Sequence, residues 1–272
     1  FSRAASIDMH QAEDSDSLKS TDWRVDKRRK EKERRRERHR AAVRLKVESG
    51  LDHVTKRDAK ALLDARLELA LSQGQPTICL DLTYESKMSD KEVDKLAKQL
   101  NRLYGIHRSS QPNMVQLCLT NYQLESRLAT VARQKYSMQA YRIALFPQSP
   151  VDSFPNKEII YLSPDAEQCL YELSPSAVYV IGGFVDEARQ PGASVSEAAQ
   201  FGCKAVRLPI DSHVTSSTIT SASLRKLPLP VNIVFGVLVD LVNGSTWTEA
   251  LMGRLPPRLK LQPKQGNYLA NS

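Results

Sequence analysis

Short apolar runs alternate with amphipathic stretches along most of the chain, and this alternation predicts strands and helices in succession. Apolar runs of about four to eight residues are typical of buried strands, and apolar positions three and four apart are typical of helices. The predicted strands are 77–82, 115–119, 141–146, 158–162, 177–181 and 205–208. The predicted helices are 55–72, a helix that begins after Ser89, 123–135, 164–173, 194–201 and 231–242. This alternation indicates an α/β fold with a mostly parallel sheet and helices on both faces.

Residues at the predicted boundaries support several of these elements. Ser89 precedes Glu92 by three positions, which is the spacing of a capping box that satisfies backbone N–H groups at the start of a helix. Ser163 and Pro164 predict an N-cap and a first helical turn for 164–173. The segment 74–76, Gly-Gln-Pro, predicts the end of the first helix.

Charge is distributed unevenly, and its distribution predicts the domain organisation. The 272-residue chain has a net charge of +8, and residues 24–46 contain 13 Lys or Arg against 4 Asp or Glu. Residues 1–22 contain too little apolar surface to offset the entropy of ordering, so they predict a disordered tail. We predict a basic helical extension at 23–73, which is a candidate RNA-binding segment, the main α/β domain at 74–256 and a carboxyl-terminal tail at 257–272.

Several kinds of site and location are not indicated by the sequence. The four cysteines form no C-x-x-C pair and the five histidines show no metal-ligand spacing, so no metal is predicted. Cysteines in or beside apolar runs suit reduced thiols inside a cell. The longest apolar run, 233–239, is too short to cross a bilayer. The first residue is Phe1, so the presence of a targeting signal is left open.

Three polar turns each follow a predicted buried strand. They are Ser163-Pro164-Asp165, Gly182-Gly183 and the segment 207–211, Arg-Leu-Pro-Ile-Asp. Ligands of open α/β sheets bind at the carboxyl ends of strands, so we expect the three turns to form one pocket. Gly182-Gly183 lacks the third glycine of G-x-G-x-x-G, and a Rossmann dinucleotide site is therefore not indicated.

Each of these residues also has an ordinary structural explanation. A Gly pair is commonly plain turn chemistry, and Asp186 can cap a loop turn or take a proton from a ligand. Leu208 and Ile210 can form the wall of a ring-binding pocket or fill the core. Asn232 is a polar residue in an apolar helix, and a buried amide needs partners. The basic run can be a solvated helix face or a phosphate-binding helix.

Six segments occur in a characteristic order along the chain. They are Leu80-Asp-Leu82, Leu119-Thr-Asn-Tyr122, Tyr161-Leu-Ser-Pro-Asp165, Val178-Tyr-Val-Ile-Gly-Gly-Phe-Val-Asp186, Arg207-Leu-Pro-Ile-Asp211, and Leu229-Pro-Val-Asn232 leading into Phe235. In this order they resemble the tRNA guanine-N1 methyltransferases that modify purine nine, a branch of the SPOUT (trefoil-knot) methyltransferases. The resemblance covers about residues 75–255, and a basic amino-terminal helix before the domain also matches.

The resemblance implies a fold, a cofactor and site residues. The fold is the α/β SPOUT type, in which the carboxyl-terminal part of the sheet is threaded into a trefoil knot that binds S-adenosylmethionine. Asp186 matches the family's aspartate beside the methyl-accepting base, and Asp81 matches a second acidic position near the target nucleotide. The implied cofactor-binding residues are Leu162, Ser163, Pro164, Gly182, Gly183, Cys203, Leu208, Pro209, Ile210, Val231 and Asn232. The implied RNA-binding residues are Lys27, Arg28, Arg29, Lys30, Arg34, Arg35 and Arg38.

The implied function is transfer of a methyl group from S-adenosylmethionine to N1 of the purine at position 9 of tRNA, with guanine expected. The alternative is a tRNA-binding scaffold subunit of a tRNA-processing complex. A monomer inside the cell is expected, in the cytoplasm or nucleus; a protein partner and a mitochondrial location stay open. The chain departs from the family pattern at Phe184, Pro230 and Gly236, and these departures concern the shape of the pocket.

Overall fold

The protein's structure, a computed structural model, describes residues 56–110, 114–185 and 192–264, together with Glu33 and Glu37. By its internal contacts the chain divides into two units, Phe1–Ala61 and Leu62–Ser272. The sheet and every site described below belong to the second unit.

Six parallel strands form the central sheet in the order β3-β2-β1-β5-β4-β6. The strands are β1 (Thr77–Asp81), β2 (Gln116–Thr120), β3 (Ala144–Leu145), β4 (Ile159–Leu162), β5 (Val178–Gly182) and β6 (Lys204–Val206). Two further strands, β7 (Val214–Ser216) and β8 (Leu261–Pro263), pair in antiparallel fashion. The predicted mostly parallel sheet is thereby confirmed.

Nine α-helices are formed by the described residues. They are α1 (Lys56–Gln73), α2 (Asp90–Ser109), α3 (Arg127–Tyr136), α4 (Pro150–Ser153), α5 (Ala193–Gln200), α6 (Ile210–His213), α7 (Ser221–Arg225), α8 (Val231–Val242) and α9 (Trp247–Arg254). The predicted capping box of α2 is present, because Ser89 Oγ accepts from the Glu92 N–H while the Glu92 carboxylate accepts from the Ser89 N–H. Such caps satisfy N–H groups that the helix itself cannot pair.

Helices cover both faces of the sheet, as predicted. Alternate strand residues point to opposite faces, and the buried side chains therefore divide into two clusters. The larger cluster includes Leu80, Leu119 and Ile181 and packs against α2, α3, α8 and α9. The smaller cluster includes Tyr161 and the Ala198 side chain of α5. Burial on both faces explains why the parallel strands have nearly continuous apolar sequences.

The predicted helix at 164–173 is wrong, because this segment pairs with a distant part of the chain. The Leu170 N–H donates to the Arg207 carbonyl, and the Arg207 N–H donates to the Gln168 carbonyl, both at 2.8 Å. Ser163 caps a local turn rather than a helix, since its hydroxyl accepts from the Asp165 N–H at 3.3 Å. Backbone groups that a helix would pair internally are thus used by the segment that follows β6.

The predicted strand at 141–146 is shorter in the structure, and several short elements have no counterpart in the prediction. Only Ala144–Leu145 pairs with β2. Between residues 210 and 225 the chain forms α6, β7 and α7, which are each three to five residues long. Residues 261–263 lie within the predicted carboxyl-terminal tail and form β8, which pairs with β7.

Gly236 inside α8 has a packing reason. A Cβ atom at this position would lie 3.0 Å from Cδ and 3.1 Å from Nε of Arg254. The Arg254 guanidinium donates two hydrogen bonds to the Asp240 carboxylate, at 2.6 and 2.5 Å. The absence of a side chain at this position therefore lets α9 approach α8 closely enough for a bidentate ion pair, which outweighs the low helix propensity of glycine.

Candidate active site

A cavity of about 200 Å³ opens at the carboxyl edge of the sheet. It lies between the ends of β4 and β5, the segment after β6 and the segment that leads into α8. Its walls are mostly apolar, with a few polar groups among them. The lining residues are Leu162, Ser163, Pro164, Asp165, Ile181, Gly182, Phe184, Ala193, Ser194, Arg207, Leu208, Ile210, Arg225, Lys226, Leu227, Pro228, Leu229, Val231 and Val234.

The three polar turns singled out in the sequence meet at this cavity. Seven of the eleven expected cofactor residues line it: Leu162, Ser163, Pro164, Gly182, Leu208, Ile210 and Val231. Because β4, β5 and β6 are parallel neighbours, their carboxyl ends open on the same edge of the sheet. The expectation that the turns lie together follows from that topology.

Four expected cofactor residues, namely Gly183, Cys203, Pro209 and Asn232, are not among the lining residues. Pro209 and Asn232 are buried, and Cys203 is half-buried with its thiol directed at the Phe201 carbonyl. The Asn232 Oδ1 atom is buried without a hydrogen-bond partner among the described residues. Ligand contacts at these four positions stay predictions.

The two glycines of the Gly182-Gly183 turn have different neighbours. A Cβ atom on Gly182 would lie 2.9 Å from Ser194 Oγ, and both of these residues line the cavity. A Cβ atom on Gly183 would lie 2.7 Å from the Asp81 carbonyl oxygen. Gly183 also donates its N–H to that oxygen at 2.7 Å. Gly182 thus keeps the cavity floor open, and Gly183 allows the turn to pack on β1.

Five polar residues outside the list of expected cofactor residues line the cavity: Asp165 and Arg207, which belong to the predicted turns, and Ser194, Arg225 and Lys226, which the sequence did not single out. The Arg207 side chain is buried and donates to Asp211 at 2.9 Å. Asp165 accepts from the Gly192 N–H at 2.8 Å. Asp165 and Arg207 lie in turns that the sequence predicts to meet at one pocket, whereas no local sequence signal identifies Ser194, Arg225 or Lys226.

The amino end of α8 is less available to a ligand than the sequence suggests. Helix starts usually leave backbone N–H groups unpaired. Here the Val231 N–H donates to the Gln99 side chain of α2 at 2.9 Å. That bond fixes α2 against the segment that forms one wall of the cavity.

Asp81 is a buried carboxylate at the carboxyl end of β1, beside Gly182 of β5 in the strand register. Its Oδ1 atom accepts from Asn121 Nδ2 at 2.7 Å and from the Thr83 N–H at 3.2 Å. Its Oδ2 atom is buried with no partner among the described residues. Burial raises the pKa of Asp81 to about 6, against the lowering effect of the two hydrogen bonds. Asp81 can therefore exchange a proton near neutral pH.

Tyr84 and Phe184 form an aromatic pair next to the Gly182-Gly183 turn. Their rings stack with centroids 5.2 Å apart, and Phe184 lines the cavity. Burial raises the pKa of Tyr84 to about 12, so its hydroxyl stays protonated at neutral pH. Phe184, where the chain departs from the family pattern, thus stacks on the buried side chain of Tyr84.

Asn121 is expected to set the protonation of Asp81. Replacing Asn121 with Gly removes the donor, and Gly tolerates the left-handed backbone at this position (φ 52°). We expect the pKa of Asp81 to rise above about 6. Because this folded-state pKa already exceeds the ordinary value of 3.8, ionising Asp81 lowers stability as the pH rises from about 4 to 6. In the variant this loss should extend to higher pH.

Carbon-13 titration of the Asp81 carboxyl and unfolding free energies across this pH range would measure both effects. Ser137→Gly is a matched control, because Ser137 also has a left-handed backbone (φ 54°) and makes no contact with Asp81. An unchanged Asp81 titration in Asn121→Gly would show that the hydrogen bond does not control the carboxyl.

Asp186 and the predicted RNA-binding residues lie outside the described residues. The predicted RNA-binding residues are Lys27, Arg28, Arg29, Lys30, Arg34, Arg35 and Arg38. Within residues 56–110, 114–185 and 192–264, no group of three or more His, Cys, Asp or Glu side chains could hold a metal ion. In the same parts of the chain, no helix has the length and apolar character needed to cross a membrane.

Comparison with known proteins gives a consistent result. The model of the family described as tRNA (guanine(9)-N(1))-methyltransferase TRM10/TRM10A matches residues 9–260. The chain is 33% identical to tRNA methyltransferase 10 homolog B of Danio rerio and 33% identical to that of Mus musculus, over 75% and 80% of its length. It spans 65% and 66% of the lengths of these two relatives, slightly less than two thirds.

Solved structures show the same architecture. The full-length spTrm10–SAH complex is 28% identical, with a TM-score of 0.58, and the match covers 68% of this chain and 99% of that one. Together with the six-stranded parallel sheet, this match confirms the predicted SPOUT-type fold class. The trefoil knot itself stays a prediction.

Proposed function

Because the chain belongs to the tRNA (guanine(9)-N(1))-methyltransferase family, we propose that it transfers a methyl group from S-adenosylmethionine to N1 of the purine at position 9 of tRNA. Guanine is the proposed base. The observation that carries this proposal is the cavity at the carboxyl edge of the sheet, where the three family turns meet around mostly apolar walls.

The residues of the cavity suit this cofactor. An adenine ring is flat and apolar on both faces, and Leu162, Leu208 and Ile210 offer apolar surface of that kind. At Gly182 a Cβ atom would meet the Ser194 hydroxyl, so this part of the cavity stays open because residue 182 has no side chain. Asp165 and Ser163 add polar groups that can orient hydroxyls. The spTrm10 relative is a complex with SAH, which supports the same class of ligand for this chain.

The remaining chemistry belongs to the protein's own side chains. S-adenosylmethionine supplies an activated methyl group when bound, so the protein needs to align the purine and to manage the N1 proton. Guanine N1 carries a proton that must leave, and Asp186 is the proposed acceptor. Asp81 is a second proposed catalytic residue, whose free Oδ2 atom and raised pKa let it hold or relay a proton beside the Gly182 turn.

Mapping methylated nucleosides on tRNA tests the proposed function. A transcript with guanine at position 9 is incubated with the protein and labelled S-adenosylmethionine, and the product is analysed by mass spectrometry. We expect 1-methylguanosine at position 9, and no label on a matched transcript with cytosine there. Tight tRNA binding without methylation would contradict the proposal and support the scaffold alternative.

The amino-terminal extension is proposed to bind the tRNA backbone. Residues 24–46 carry a local charge of +9, from 13 basic and 4 acidic residues. We expect deletion of this segment to weaken tRNA binding and to leave cofactor affinity unchanged. Each lost phosphate contact should reduce the slope of log affinity against log salt by about 0.7–0.9. Equal slopes for the intact and truncated proteins would show that the segment does not contact phosphates.

The oligomeric state, location and organisation are also proposals. We propose a monomer that acts inside the cell, where tRNA is found, in the cytoplasm or nucleus. We also keep the proposed division into a tail at 1–22, a basic extension at 23–73, a catalytic domain at 74–256 and residues 257–272 beyond it.

A further inference from the structure

Two exposed cations, Arg225 and Lys226, lie at the rim of the candidate active site. Arg225 and Lys226 lie at the carboxyl end of α7, and both line the cavity while remaining exposed to solvent. They occupy the segment just before Leu227, Pro228 and Leu229, which also line the cavity. Their position is therefore at the mouth of the site, not in its interior.

Several cations of the described structure are held by a carboxylate, and Arg225 and Lys226 are not. Arg207 in the cavity interior is paired with Asp211, and Arg254 is paired with Asp240. Lys135 is paired with Asp94. In contrast, neither Arg225 nor Lys226 lies within 4.0 Å of an acidic oxygen among the described residues. Their charge is thus available to an anion from outside the protein.

A second pair of exposed cations lies on the neighbouring helix. Lys98 and Arg102 are four residues apart on α2, so they lie on the same side of that helix. Gln99 between them binds the Val231 N–H at 2.9 Å, and Val231 lines the cavity. Lys98 and Arg102 likewise have no acidic partner among the described residues. Lys98 and Arg102 therefore lie one and three residues from the side chain that ties α2 to a lining residue of the cavity.

We infer that Arg225 and Lys226, together with Lys98 and Arg102, form a phosphate-binding rim that holds the tRNA backbone on either side of the methyl-accepting nucleotide. This inference rests on the proposed function. A base that is drawn out of its stack into a pocket leaves its sugar and phosphates at the entrance. Contacts to those phosphates position the nucleotide without reading its base.

Exposure favours an RNA phosphate over the carboxylate of the cofactor as the anion. A carboxylate held inside the cavity would need a buried cation, and the Arg207 side chain, which is 7% exposed, is that cation. Its Nη1 is paired with Asp211, but its Nε has no hydrogen-bond partner among the described residues and is better placed for a buried carboxylate than the rim is. Arg225, Lys226, Lys98 and Arg102 are exposed. Surface cations of this kind bind a polyanion by releasing its counterions, and the binding therefore depends strongly on salt.

The double substitution Arg225→Gln/Lys226→Gln tests the rim. The expected result is a salt slope of tRNA binding that falls by about 1.4–1.8, for two lost phosphate contacts at about 0.7–0.9 each. Affinity for S-adenosylmethionine, measured by calorimetry, should stay the same. The charge-conserving swap Arg225→Lys/Lys226→Arg should keep the wild-type slope, which separates charge from damage to the fold.

Arg258→Gln/Lys260→Gln is the matched control, because it removes the same charge from two exposed residues that do not line the cavity. Its slope should stay at the wild-type value. If the wild-type protein methylates tRNA and the rim variant keeps the wild-type salt slope of tRNA binding, the phosphate-binding role of the rim is refuted while the proposed function stands. A rim variant that loses cofactor affinity at an unchanged slope would also refute it. Salt-dependent binding through the rim without any methylation would contradict only the proposed function.

Discussion

Replacing Asp186 with Asn is expected to slow methylation of guanine at position 9 by about 10²–10⁴-fold, the usual range for loss of a general base. Asn cannot accept the N1 proton, although its shape is nearly that of Asp. Binding of tRNA and of S-adenosylmethionine should change much less than the rate. Single-turnover rates with saturating protein would measure the chemical step apart from binding and product release.

A transcript with adenine at position 9 is the control for this prediction. Adenine N1 has a lone pair and no proton to remove, so the loss on adenine should be smaller than the loss on guanine. If Asp186→Asn slows both transcripts equally, the residue orients the base and does not accept its proton. If the wild-type protein does not methylate adenine, the test rests on two measurements: a slower guanine rate in Asp186→Asn, and unchanged binding of tRNA and S-adenosylmethionine.

The adjacent substitutions Gly182→Ala and Gly183→Ala are expected to affect different properties. Gly182→Ala should mainly weaken ligand binding, and Gly183→Ala should mainly lower stability. In Gly182→Ala the new Cβ would meet the Ser194 hydroxyl at 2.9 Å, and that side chain can rotate into the cavity. Affinity for S-adenosylmethionine should fall by about tenfold or more, equivalent to about 1.4 kcal/mol, with little change in the free energy of unfolding.

Gly183→Ala should instead destabilise the fold. The new Cβ would lie 2.7 Å from the Asp81 carbonyl oxygen, which belongs to the backbone of β1 and cannot rotate away. Overpacking of this kind typically costs about 1–3 kcal/mol of unfolding free energy. Urea unfolding and calorimetry on both variants would separate the two effects. Strong loss of cofactor affinity in a fully stable Gly183→Ala protein would contradict this structural role and support the predicted ligand contact at Gly183.

The central sheet could be predicted because its strands are buried on both faces. All five residues of β1 and all four of β4 are buried. The middle of β1, Ile-Cys-Leu, and the whole of β4 therefore appear in the sequence as short apolar runs. The helices α2 and α8 were predictable for a related reason, since a capping box or a long apolar stretch marks them locally. The sequence signal for each of these elements therefore lies within the element itself.

The errors fall where structure depends on distant partners. The segment 164–173 has helical signals, yet the backbone of Leu170 pairs with Arg207, which lies 37 positions further along the chain. The short elements α6, β7 and α7 contain too few residues to show a period. Local propensity is a weak prediction when tertiary hydrogen bonds compete for the same backbone groups.

The candidate site was only partly predictable for the same reason. Leu208 and Ile210 stand out because they follow a strand, and parallel topology then brings them to the ends of β4 and β5. Nothing local distinguishes Gly182 from Gly183, because the difference depends on whether Ser194 or β1 lies above the missing side chain. Arg225 and Lys226 belong to none of the segments singled out in the sequence. Only their place on the cavity rim sets them apart from other surface cations.

The pairing of β7 with β8 links the carboxyl-terminal part of the described chain mechanically to the cavity. The Lys264 N–H donates to the His213 carbonyl and the Lys264 Nζ donates to the Asp211 carbonyl, both at 2.9 Å. These acceptors belong to the short helix that begins with the cavity residue Ile210. Force or strain applied after residue 264, by a fused domain or a surface tether, would therefore act on a wall of the site, so an attachment point elsewhere is the safer choice for immobilising this protein.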